Sequence, residues 1–205
     1  MNTLTHIVGV IGSIIGLLIL LPRTVDDPPK MWSMLIYGVC MILLYTSSSL
    51  LHGVKATEPT RMWLNRLDHI AIFLLIAGTY TPFALVTLRD TVGWWLFAAT
   101  WTLAVIGIVL DGVRRDAKRI VPLAIYVAMG WLILVALEPL LAAIPPTGFR
   151  WLLAGGIAYS VGIIFFVLDH WYPRAHGIWH LFVLAGSTCH FFAVFLYVIP
   201  GAPAL

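Results

Sequence analysis

Seven long apolar runs divide this chain, near residues 3–21, 31–52, 67–88, 92–111, 120–142, 149–169 and 176–199. Coiled as a helix rising 1.5 Å per residue, each run can span the roughly 30 Å of hydrocarbon in a bilayer. Of the 205 residues, 61% are hydrophobic and 10% are charged. An ordinary soluble domain carries about 25% charge, so the deficit points to a bilayer protein. The expected fold is all-α: a single seven-transmembrane helix bundle over 1–205. The first run lacks a basic flank and a small-residue cleavage site, so it is expected to be a retained helix, not a signal peptide.

The separators are short, so consecutive helices should be antiparallel neighbours. No soluble domain or low-complexity segment is visible. The lack of a clear internal repeat weakens an inverted-repeat transporter reading. Basic residues sit in short loops, which argues against nucleic-acid binding. Cys40 and Cys189 lie inside apolar runs and read as small buried hydrophobes.

Orientation follows from counting Lys and Arg in the loops. The even-numbered loops carry eight and the odd-numbered loops four. The N-terminus is therefore expected in the cytoplasm and the C-terminus outside. The cluster Arg114, Arg115, Lys118 and Arg119 dominates this count. It reads first as a positive-inside determinant and second as a lipid-headgroup or partner site.

This topology brings distant polar residues to one depth. The second run ends at His52, the third starts at Asp68, and the seventh opens with His176-Gly-Ile-Trp-His180. On a helix, residues i and i+4 share a face about one turn apart. Two imidazoles so placed are a metal-chelating pair. Ionisable groups within a membrane are costly and mark functional sites by default. Three imidazoles and one open position form a catalytic zinc sphere, with Zn–N distances of about 2.0–2.1 Å. Zinc lowers the pKa of a water it binds to about 7. Asp68 is placed to orient that water and take its proton, or to ligate the metal itself. Ser48, one turn before His52, is placed to orient an imidazole or to donate to a developing oxyanion.

Bland readings compete. His52 taken alone is an interfacial hydrogen-bonding residue. Asp68 suits a helix N-terminus, where the macrodipole favours an acid. Ser48 belongs to Thr46-Ser47-Ser48-Ser49, and small polar residues pack membrane helices. His69 is rotated about 100° from Asp68. His170 reads as interfacial. His190 lies roughly 15 Å along the helix from His180, so it should hydrogen-bond within the bundle or line a cavity. His6 has no evident partner, and Glu138 reads as interfacial.

Ser48-Ser49-Leu50-Leu51-His52 forms a Ser-x3-His pattern. Leu67-Asp68-His69-Ile70-Ala71-Ile72 leads on through Ala77-Gly78-Thr79-Tyr80-Thr81-Pro82-Phe83. His176-Gly-Ile-Trp-His180 leads to Cys189-His190-Phe191-Phe192. In this order, over essentially the whole chain, these motifs resemble the hemolysin III family, the bacterial branch of the progestin and adiponectin receptor family. The resemblance implies seven helices and a zinc ion near the cytoplasmic side. It implies His52, His176 and His180 as zinc ligands, with Asp68 as the water-holding aspartate and Ser48 as the motif serine. The family is grouped with alkaline ceramidases among membrane metal-dependent hydrolases, which implies hydrolysis of a lipid amide. Bacterial relatives are linked to membrane lipid and fluidity homeostasis.

The eukaryotic receptors carry a sizeable N-terminal region, whereas few residues here precede the first helix. Hormone recognition is therefore not expected, and a bacterial inner (plasma) membrane location is. The expected function is zinc-dependent hydrolysis of a lipid-like amide that reaches the site from the bilayer through a gap between helices. The alternative is a non-catalytic membrane sensor with structural zinc. The third reading, a hemolysin-type pore or cytolysin, needs a polar path across the bundle, and mid-membrane charges are few.

Overall fold

The structure, a computed structural model, describes residues 2–113, 120–172 and 174–200. The basic cluster at 114–119 lies outside the described residues. The elements are α1 (Asn2–Leu20), α2 (Pro28–Gly53), α3 (Glu58–Pro82), α4 (Gly93–Val113), α5 (Ile120–Gly130), α6 (Leu137–Ala143), α7 (Pro146–Leu168) and α8 (Ala175–Ala193). α3 and α8 continue into single π-helical stretches, Phe83–Thr87 and Val194–Val198. With α5 and α6 counted as one span, seven helices among the described residues are long and apolar enough to cross a membrane.

Local chemistry sets the helix ends. Asp27 caps α2, its carboxylate accepting from the Lys30 N–H at 3.2 Å. Pro28 follows at the first helical position, where a missing N–H costs nothing. α3 begins at Glu58 rather than near 67. Charge ends the lipid-compatible run, yet it does not end a helix whose first turn favours an acid and tolerates Pro59. Asp68 therefore sits well inside α3, beyond the first turn where the macrodipole acts. The structure corrects that bland reading of Asp68.

The fifth span is broken where the sequence predicts one helix over 120–142. α5 ends at Gly130, a 3-10 turn covers Leu132–Ala136, and α6 follows. Inside lipid, freed backbone groups need partners from the protein. Tyr80 on α3 supplies them: its hydroxyl donates to the Gly130 carbonyl at 3.0 Å and accepts from the Ile133 N–H at 2.9 Å.

α1 packs on α2, α2 on α3, and α3 on α4; α7 packs on α8, and α8 also meets α1. α5 rests on α3 and α4. Core side chains including Met34, Tyr37, Leu44, Tyr45 and Val183 belong to one buried cluster to which α1, α2, α3, α4, α6 and α8 all contribute. A smaller cluster of Phe73, Ala77, Ala104 and Met129 joins α3, α4 and α5. Cys40 is buried and Cys189 half-buried, both as free thiols. The outer faces carry exposed aliphatics such as Leu4, Leu18, Val109 and Ile164. Exposed Trp32, Trp94 and Trp95 lie at one end of the bundle, and Trp63, Trp171 and Tyr172 at the other, as aromatic belts would. Lys30 Nζ donates to the Ile199 carbonyl at 3.3 Å, which ties the start of α2 to the end of the last span.

Candidate metal centre

His52 lies in the last turn of α2, and His176 and His180 occupy the opening turns of α8. One ligand nitrogen from each of the three lies within 4.8 Å of the others. The Nε2 atoms of His52 and His176 are 3.2 Å apart. Two nitrogens about 2.05 Å from one tetrahedral metal lie about 3.3 Å apart, so this pair already has the spacing that zinc requires. No separation in the trio exceeds that chord by more than about 1.5 Å, within reach of imidazole side-chain torsions. The donor set therefore fits a divalent ion that favours imidazole, zinc foremost.

A residue that sequence reasoning missed orients one ligand. Asp169, at the C-terminus of α7, places Oδ2 2.7 Å from His176 Nδ1. An ionised carboxylate only accepts, so Nδ1 carries the proton and Nε2 presents its lone pair towards His52. This is the carboxylate–histidine arrangement that supports metal-binding imidazoles. The connection turns back through Tyr172, whose carbonyl accepts from the Ala175 N–H at 2.8 Å. The only sequence signal was an acid seven residues before a His pair, and no periodicity rule joins residues across a turn.

Ser48, buried on α2, and Asp68, half-buried on α3, line the same cavity as the three histidines. All five sequence-predicted site residues thus border one space. His6 is the correction. The sequence suggested no partner, yet its ring stands edge-on to His180, with centroids 3.9 Å apart and planes at 78°. No spacing rule links α1 to α8, so only the folded bundle reveals the contact.

The other polar residues divide as follows. His69 turns towards α4, with Nδ1 3.5 Å from Asp111 Oδ1. His170 is exposed after α7, and Glu138 is exposed at the start of α6. His190 donates from Nε2 to the Leu152 carbonyl at 3.2 Å and lines the cavity deeper in the bundle. Gly155 makes room for that ring, since a β-carbon there would collide with His190. Nearby, Tyr45 donates to Ser187 Oγ at 2.8 Å, and Tyr159 lies at the same distance from it. These bonds join α2, α8 and α7.

The cavity holds about 1400 Å³ and runs from the histidines to Thr79, Tyr80 and His190. Its lining comes from α1, α2, α3, α5, α7 and α8. Just after α5, Trp131 Nε1 donates to Ser160 Oγ of α7 at 3.2 Å. A polar cluster at one end of a long, partly open, largely apolar cavity suits an amphipathic ligand.

The family model described as Haemolysin-III related matches residues 1–191. Hemolysin-3 of Bacillus cereus is 47% identical over 205 residues, covering 98% of this chain and 92% of that protein. The Hemolysin-3 homolog of Bacillus subtilis (strain 168) is 43% identical over 202 residues, covering 97% and 93%. The human Monocyte to macrophage differentiation factor is 27% identical over 208 residues, covering 96% and 83%. The chain belongs to the Haemolysin-III related family and is a multi-pass membrane protein.

Proposed function

We propose that this Haemolysin-III related protein is a zinc-dependent hydrolase of a lipid-like amide that serves membrane lipid homeostasis. The observation that carries the reading is the cluster of His52, His176 and His180 at one end of a cavity of about 1400 Å³. These three residues would hold the ion. When bound, the metal supplies a Lewis acid and a water of lowered pKa.

The chain's own residues do the rest. Asp169 holds His176 in the metal-facing tautomer. The Asp68 carboxylate orients the attacking water and takes its proton. The Ser48 hydroxyl donates to the substrate oxygen as negative charge develops there. The apolar walls take the acyl chain, which reaches the site from the bilayer between helices. In the balanced reaction the amide C–N bond breaks, the water oxygen joins the acyl carbon, and the protons pass to the departing amine and the solvent. The apolar helical spans and the Bacillus relatives support a plasma-membrane setting, and the Lys and Arg count supports a metal centre on the cytoplasmic side.

The test begins with metal content by elemental mass spectrometry on detergent-purified protein prepared without chelators. Near-stoichiometric zinc that disappears in a His176→Ala/His180→Ala double variant is expected, followed by zinc-dependent release of fatty acid from an N-acyl amide. Metal-free wild-type protein would sink the hydrolase reading.

A second reading, a sensor with structural zinc, is favoured by one observation. The ligands join α2 to α8, and His52 and His176 are 124 positions apart in sequence. An ion there ties distant helices together, and bilayer state could act on that tie. Metal-loaded protein with no turnover on any acyl amide, but metal-dependent helix packing, would select it. A lytic role rests on the names of the two Bacillus relatives alone.

A further inference from the structure

His6 is the buried polar group that the metal reading leaves unused. It lies in α1 with 4% of its surface exposed, and neither ring nitrogen has a hydrogen-bond partner among the described residues. One flank meets His180 edge-on, and the other faces the Tyr45 ring with centroids 5.4 Å apart. Tyr45 is not the missing partner, because its hydroxyl goes to Ser187 at 2.8 Å. The placement is built into the packing. A β-carbon at Gly9, three residues on, would collide with the Tyr45 ring, so its absence lets α1 settle against α2. His6 then forms part of the wall of the cavity that the three metal-binding candidates line.

An imidazole shut away from water with two idle nitrogens is costly unless something in the cavity completes it. His6 is not in the trio whose ligand atoms converge, so the geometry does not make it a fourth metal ligand. A neutral imidazole offers one N–H donor and one acceptor. The two nitrogens point to opposite edges of the ring, so one of them meets a given head group, most simply its N–H donating to a carbonyl oxygen.

We propose that His6 recognises the bound ligand: its imidazole hydrogen-bonds the carbonyl-bearing head group of an acyl compound lying in the cavity beside the three histidines. The proposal rests on the metal reading above and adds α1 to the site. His6 would contact the ligand and leave metal retention to the other helices.

The test uses the full chain in detergent, loaded with cobalt so that the visible absorption reports the ligand environment. The probe is dodecanoyl hydroxamic acid, which joins an apolar chain to a metal-seeking carbonyl head. His6→Phe keeps a ring between His180 and Tyr45 but removes both nitrogens, and His6→Ala gives the same comparison if the larger ring does not fit. His6→Gln restores a donor and an acceptor. The expected result is unchanged metal stoichiometry in every variant. Probe binding should weaken about tenfold or more in the Phe or Ala variant, as for one lost hydrogen bond, and recover at least in part with Gln. Equal probe affinity in wild type and the Phe or Ala variant, or no recovery with Gln, overturns the proposal and leaves the metal reading standing. Loss of metal from the His6 variants also overturns it, making His6 part of the metal's support. Wild-type protein that holds no metal overturns the hydrolase reading itself, and this proposal with it.

Discussion

The cavity has two unlike walls. On the α2–α8 side, His180, Ser48 and Tyr45 are buried, imidazoles touch one another, and Ser187 ties Tyr45 and Tyr159 together. On the α5 side, the helix is broken after Gly130, exposed Leu134 and Val135 follow, and Trp131 reaches α7 through a side-chain bond to Ser160. Under the proposed function, the difference follows from what each wall would do. Metal ligands need positions held to fractions of an ångström, which takes dense packing and satisfied polar groups. Admitting an acyl chain needs helices that part at low cost, which takes few mutual contacts.

The hardest blow to this comparison falls on the ligand wall. Replacing His180 with Ala should lower zinc affinity by more than about 100-fold, beyond the range for residues that only support ligands. Competition with a calibrated chelator measures it, and intact affinity would mean that this wall is not a metal site. Asp169→Asn keeps the shape but weakens the acceptor facing His176 Nδ1. A loss of about 10- to 100-fold in zinc affinity is expected in the same assay, and no loss would reduce the contact at 2.7 Å to a surface ion pair.

On the looser wall, Tyr80→Phe strips the partner from the Gly130 carbonyl and the Ile133 N–H. About 1–3 kcal/mol of stability should be lost, read by thermal unfolding in detergent, with metal content unchanged. If metal is lost as well, the two walls are coupled more tightly than their packing suggests. The smallest effect belongs to Ser160→Ala. Removing the acceptor of Trp131 should cost about 0.5–1.5 kcal/mol, yet hydrogen exchange should quicken in α5 and not at the start of α8. Equal acceleration in both would erase the distinction.

Parts of both walls were legible beforehand. The seven spans could be read because a bilayer demands long apolar runs, whatever their neighbours. His176 and His180 were legible because helical geometry alone puts i and i+4 on one face. His52 and Asp68 followed from alternating topology, which places the ends of certain helices at one depth, and Ser48 from its place one turn before His52. The start of α3 was misplaced because hydropathy registers where lipid begins, not where the helix does. The break in the fifth span was missed because its stability depends on Tyr80, some fifty residues away. Asp169 and His6 escaped because a turn and a helix–helix contact bring them to the site, and neither leaves a periodic trace.

The sequence by itself determined the class of protein, the number of spans and the residues able to bind a metal. Those properties depend on transfer into lipid and on spacing within one helix, both local. Only the tertiary structure decided that α1 reaches the site, that Asp169 aligns His176, and that α5 borders the cavity while packing mainly on α3 and α4 among the long helices. Each of these depends on which helices lie side by side and at what rotation, and that choice is made by packing across the whole bundle.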